Sequence, residues 1–177
     1  MGRQVLEGIP YHIDNYEAYL GRTLGHSEWV EIDQLRVDQF ADATSDKNPL
    51  HVDPEWATQN GPFGGAIAHG FLTLSMLSHL AWQSDLQPDG IDYGINLGFE
   101  RVRFLAPVKV GDCVQMTATM LDCKPRGAGR LWFKTRVTIR TQKTDKAAVS
   151  AVWLILFVNE ELAGDVMKVA AGEGVSD

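Results

Sequence analysis

Asp46 and His51 stand five residues apart in the run Asp46-Lys47-Asn48-Pro49-Leu50-His51. A carboxylate and an imidazole so placed can grip one water molecule between them. Such a pair suits general acid–base work, in which a proton leaves the water and another returns to the product. A reaction that builds negative charge on an oxygen also needs a donor, and a helix start supplies free N–H groups at the positive end of a dipole. A candidate start lies close behind. The bend Gly61-Pro62-Phe63-Gly64-Gly65 opens a long apolar segment, and no Asp, Glu, Lys or Arg occurs between Trp56 and Ser84. On spacing alone, Asp46 fits an Asx-turn or a helix cap better than a catalytic role, and His51 a hydrogen-bonded loop histidine.

The elements that must position this pair flank it on both sides. Asp33 is a good N-cap for a helix with Val37, Phe40, Ala41 and Thr44 at i, i+3, i+4 and i+7. Pro49 forces Asn48 out of the helical region, so the chain opens into a loop there. Asp53-Pro54-Glu55 restarts a helix, with Asp as cap and Pro at the first position. The Asp46–His51 loop is therefore clamped between two helix ends, with Asn48 as its turn and brace. Residues 66–82 are expected to form a helix whose apolar side chains, among them Ile67, Phe71, Leu72, Met76 and Leu80, cover most of the cylinder. Such a helix has to be enclosed by other structure. It also holds His69, Ser75, Ser78 and His79, which fit a core helix better than a membrane span. His69 and His79 read as core or helix-end histidines, and Gly64-Gly65 as close backbone packing.

Upstream, Asp14 caps a short helix over Asn15–Leu20 that Gly21 ends, and Trp29–Ile32 reads as a short strand. Downstream the hydrophobic period becomes two. Ile91–Phe104 is strand-like, with Gly94 and Gly98 as places to bulge. Val114, Met116, Ala118 and Met120 alternate with polar residues, as do Leu131, Phe133, Thr135, Val137 and Ile139, and Val149–Val158 is apolar on both faces. Short turn-like separators join these long strands, so they are expected to run antiparallel. One long buried helix followed by four such strands implies an α+β fold, a curled sheet wrapped round the helix. There is no internal repeat or linker, and 177 residues make one domain, 1–177, with a core of about 14–158 and a frayed tail at 160–177.

Composition narrows the class further. A net charge of −7 argues against non-specific affinity for nucleic acid or an anionic membrane. The first residues lack a signal-like apolar core, so a cytoplasmic protein is expected. Cys113 and Cys123, on one continuous strand, would lie about 33 Å apart, far beyond the roughly 7 Å limit for a disulfide. Both are expected to be reduced. No C-x-x-C or histidine-rich cluster suggests a metal.

The run Phe40-Ala41-Asp42-Ala43-Thr44-Ser45-Asp46-Lys47-Asn48-Pro49-Leu50-His51 resembles the hydratase-2 motif of MaoC-like dehydratases, which include the (R)-specific enoyl-CoA hydratases. Ile67-Ala68-His69-Gly70 resembles the segment opening their central helix, and Phe104 to Asp112 their next strand and turn. Gly-Arg-Thr-Leu-Gly before Trp29 and Gly61-Pro62-Phe63-Gly64 look like a single-domain, nodulation-protein-like branch. The resemblance implies the hotdog fold, a homodimer, and reversible hydration of trans-2-enoyl-CoA to (R)-3-hydroxyacyl-CoA within fatty acid metabolism. It implies Asp46 and His51 as the catalytic pair, the Gly70 N–H as oxyanion donor, and Ser78 as a supporting residue beside Asn48. No cofactor is implied, coenzyme A being part of the substrate, though acyl carrier protein is an alternative carrier. Arg101, Arg103, Lys109, Arg126 and Arg130 are basic side chains that could meet the coenzyme phosphates, and a solvated strand face is the plainer reading of each. Ser45 stands where the family's motif has glycine. Two other readings share the fold: an acyl-CoA thioesterase, which the Asn-Pro-Leu-His element disfavours, and a non-catalytic acyl-thioester-binding subunit.

Overall fold

The computed structural model describes residues 11–84 and 86–163. A 3-10 turn at Tyr16–Tyr19 leads into β1 (Thr23–His26) and β2 (Val30–Ile32). Three helices follow, α1 (Gln34–Thr44), α2 (Pro49–Val52) and α3 (Pro54–Asn60), and then α4 (Gly70–Trp82). Four long strands complete the sheet, β3 (Tyr93–Phe104), β4 (Asp112–Pro125), β5 (Arg130–Thr141) and β6 (Ala147–Val158), before a last turn, α5 (Glu160–Ala163). Most of the tail expected at 160–177 lies outside the described residues.

All strand pairings are antiparallel, in the order β1-β4-β5-β6-β3, with β2 also on β4. β4, β5 and β6 are joined by hairpins, as their short separators require. β3 and β4 are not neighbours, so residues 105–111 cross from one side of the sheet to the other. β1 is an element that the sequence pattern did not reveal. It has four residues, one of them Gly25, and is held by register with Thr117 and Thr119 of β4 rather than by its own apolar pattern.

α4 lies against this sheet. Leu72, Met76, Leu77 and Leu80 join one buried cluster with Met116, Phe133, Ile139 and Ile155. Each such side chain contributes about 1.5–3 kcal/mol by leaving water. Alternation along β4 and β5 is nearly strict, which fixes the sheet's inner face. The helix is shorter than the expected span. Residues 66–69 are extended instead, with Ala68 N–H donating to Val108 O (2.8 Å) and Val110 N–H to Ala66 O (3.0 Å). Nor do the described residues enclose the whole of α4. Phe71 is 68% exposed and Trp82 75%, and along β3 Ile95, Leu97, Phe99 and Phe104 are also exposed. β3 pairs only with β6 and so ends the sheet as a long apolar edge.

Gly98 sits at a register shift with φ +147°, as expected of a bulge glycine, but the second irregularity falls at Arg101 rather than Gly94. Gly94 is needed for space, because a Cβ there would stand 3.0 Å from the Phe157 ring. Cys113 and Cys123 are both free on β4. Burial, with Asp122 and Glu17 nearby, pushes the Cys123 thiol up to about 12, so it stays protonated and inert. Among the described residues no helix is long and apolar enough to cross a membrane.

Candidate active site

Asp33 caps α1 as its sequence predicts, its side chain accepting from Arg36 N–H. The helix ends at Ser45, whose φ of 61° lies in the left-handed region. That conformation is the one glycine favours. Serine at the family's glycine position thus takes up the backbone conformation that a glycine there would favour. Asp46 follows in the turn, with its side chain 56% exposed. Asn48 then caps a helix of one turn, its Oδ1 accepting from Leu50 N–H at 3.0 Å and Pro49 taking the first position. His51 thus sits on α2, not on an open loop, and Asn48 acts as the brace it was read to be. The Asn-Pro pair carried this signal.

His51 Nδ1 lies 2.7 Å from the carbonyl of Ile67. A carbonyl only accepts, so this nitrogen carries the proton, and in the neutral ring Nε2 keeps its lone pair for another partner. Gln34 holds the same residue's main chain, donating from Nε2 to His51 O at 2.8 Å. Ile67 N–H in turn donates to Leu50 O (3.1 Å). The imidazole is held by one backbone carbonyl, and the main chain that carries it by Gln34 and Ile67.

His69 is the buried, helix-end histidine that its sequence position implies, and its contacts add a place in the site. It occupies the N-cap of α4, is 3% exposed, and makes no capping bond with its side chain. Its ring turns instead toward Asp46 and His51. Nε2 donates to Asp46 O at 2.9 Å and stands 4.0 Å from the Asp46 carboxylate. The ring faces His51 with centroids 3.8 Å apart and planes inclined by 30°, and Phe40 stands beyond at 5.1 Å. One side-chain atom from each of Asp46, His51 and His69 falls within 4.8 Å of the others. A histidine in an apolar run reads as core. The available clue was that it precedes the glycine at which the helix begins.

That trio has the atoms of a metal site but poor geometry for one. Two imidazoles lying nearly face to face direct their in-plane lone pairs along near-parallel planes, not at a common ion. Each also commits one nitrogen to a carbonyl. The arrangement favours proton transfer through water.

Gly70 is the first residue of α4, next to His69, so its amide precedes the helical ladder and has no intrahelical partner. It points from the positive end of the helix dipole. A Cβ at Gly70 would lie 3.1 Å from the Phe104 ring. The structure therefore brings Asp46 and His51 together with His69, and Gly70 follows His69 at the start of α4. It does not bring Ser78 to them. Ser78 lies eight residues further along α4, about 12 Å at 1.5 Å per residue. It lines a cavity of about 320 Å³ with Ala81, Trp82, Asn96, Trp153 and Phe157. Of the basic residues, Arg130 is occupied in part, donating to Ala163 O at 3.1 Å.

The fold is that of a MaoC-like dehydratase domain. The model of the MaoC-like domain matches residues 15–147, and the chain belongs to that family. It is 42% identical over 137 residues to Nodulation protein N of Rhizobium leguminosarum bv. viciae, covering 77% of this chain and 85% of that one. It is 40% identical over 141 residues to 3-hydroxyacyl-thioester dehydratase Z of Mycobacterium tuberculosis, covering 80% and 92%. Among solved structures it resembles the R-hydratase PhaJ1 of Pseudomonas aeruginosa, with TM-score 0.62 and 28% identity over 80% of this chain and 83% of that one. The (R)-hydratase of A. caviae matches with TM-score 0.60 and 29% identity, covering 77% and 94%. The expected α+β hotdog fold and single-domain branch are thus observed.

Proposed function

We propose that this protein is a hydro-lyase that reversibly hydrates trans-2-enoyl-CoA to (R)-3-hydroxyacyl-CoA. The observation that carries the reading is the convergence of the Asp46 carboxylate and the His51 imidazole beside the first amide of α4. A water held between the two gives up a proton to one of them as its oxygen attacks C3. The same pair then delivers a proton to C2 on the same face. Meanwhile the thioester oxygen takes on negative charge and is received by the Gly70 N–H. A donor of this kind contributes about 3–4 kcal/mol in the transition state. The reaction calls on no metal and no organic cofactor.

The cavity lined by Ser78, Ala81 and Trp153 accepts the acyl chain in this reading, since α4 runs from the reacting centre toward it. Ser78 then supports substrate binding rather than the proton transfers. A homodimer follows from the long apolar edge at β3 and the uncovered Phe71 and Trp82, which a second copy would cover. The names of the similar dehydratase and the two hydratases support the same chemistry, and a cytoplasmic acyl-thioester enzyme fits it.

Incubation with crotonyl-CoA tests the proposal. Loss of enoyl absorbance with no free thiol, and a product of R configuration on chiral analysis, is the expected result. Release of free thiol would identify a thioesterase, and tight binding without turnover a binding subunit. Either would overturn it.

A further inference from the structure

We infer that His69 is a positioning residue that sets the separation of Asp46 and His51. This rests on the hydratase reading for its kinetic consequence but not for its geometry.

His69 serves the fold poorly. The N-cap position favours Ser, Thr, Asp or Asn, and His69 makes no capping bond. Its ring is buried, and Nδ1 finds no hydrogen-bond partner among the described residues. An unpartnered buried polar atom is a cost, and local rules are broken in this way mainly where function requires it. The ring's contacts show what it does. Asp46 lies in an exposed turn entered through the left-handed Ser45, so little on its outer side restrains it. The bond from His69 Nε2 to Asp46 O, at 2.9 Å, is the inward tether. The His69 face, 3.8 Å from the His51 ring, limits where that ring can turn once Ile67 O holds its Nδ1. One side chain thus references both reacting groups to the start of α4, where Gly70 waits for the thioester oxygen.

Two substitutions separate the tether from the wall. His69→Phe keeps a flat ring against His51 and Phe40 and removes the donor. His69→Gln returns an N–H near the place of Nε2 and removes the ring. His69→Phe is expected to lower kcat by about ten- to a hundredfold, the scale of a misplacement of order 1 Å, with KM within about threefold. His69→Gln is expected to recover much of that loss. Proton–nitrogen NMR of the wild-type imidazoles adds a readout independent of turnover. It should show His69 as the Nε2–H tautomer and His51 as the Nδ1–H tautomer. Wild-type kcat in His69→Phe, a loss confined to KM, no recovery in His69→Gln, or His69 in the Nδ1–H form would each overturn the inference. Should the wild-type protein fail to hydrate any enoyl thioester, the hydratase reading falls, and the tautomer of His69 still decides whether it holds the Asp46 carbonyl.

Discussion

Gly70 offers a direct test of the oxyanion donor, because its N–H can be removed without breaking the helix. It is the first residue of α4, so no intrahelical bond is lost when the hydrogen goes. Proline is favoured at that position, and the residue before a proline must be extended, with ψ of about +120 to +160°. His69 already has φ −57° and ψ 139°. Gly70→Pro is therefore accommodated by the backbone as it stands. Its Cβ would meet Phe104 ring atoms at 3.1–3.4 Å, and Phe104 is exposed on the edge strand and can yield. Gly70→Ala carries the same Cβ and keeps the N–H, so it is the control. The ratio of kcat between the two variants isolates the donor and is expected to be about 10²–10³, or about 2.7–4 kcal/mol. Crotonyl-CoA hydration followed by loss of enoyl absorbance measures it, with circular dichroism melts to show that both variants fold alike. Equal turnover by Gly70→Pro and Gly70→Ala would mean that the thioester oxygen is held elsewhere.

Asp46→Asn and His51→Ala should each reduce kcat at least about a hundredfold with little change in melting temperature, since neither side chain is in the core; near-normal rates in either would remove the shared-water mechanism. Leu97→Glu, placing a charge on the 49% exposed residue of the β3 edge, should convert a dimer to a monomer in light scattering and lower activity with it. A wild-type monomer, or an undisturbed dimer in the variant, would refute the edge assignment. Ser45→Gly should relieve the left-handed strain of about 1–2 kcal/mol while losing about 0.4–1 kcal/mol to the freer unfolded chain. The net gain should raise the melting temperature by about 1–4 °C, and a fall would show that the serine hydroxyl does something the structure does not reveal.

The parts of the site that local chemistry specifies were legible in the sequence. Asp33 and Asp53 both cap the helices assigned to them, while Asn48, read as a turn and brace, proves to cap a one-turn helix that was not expected. The period-two runs became strands close to their expected bounds. What could not be read was set by partners distant along the chain. Residues 66–69 carry helix-like apolar spacing, yet pairing with 108–110 pulls them into an extended path, and that shift turns His69 from a helix residue into a wall of the site. β1 exists because β4 offers it an edge. The apolar girth of α4 announced an enclosed helix, but nothing in one chain's pattern tells whether the cover comes from itself or from a second copy.

The grip on the His51 ring comes from the carbonyl of Ile67, whose amide holds the neighbouring Leu50, and not from its side chain. Position 67 is therefore free to drift. Its half-buried isoleucine can be exchanged for other shapes without turning the imidazole that its carbonyl aims. Anchorage and identity are uncoupled at that residue. A lineage could vary the side chain there while the imidazole stays held, and a directed library at position 67 would show how much that freedom allows.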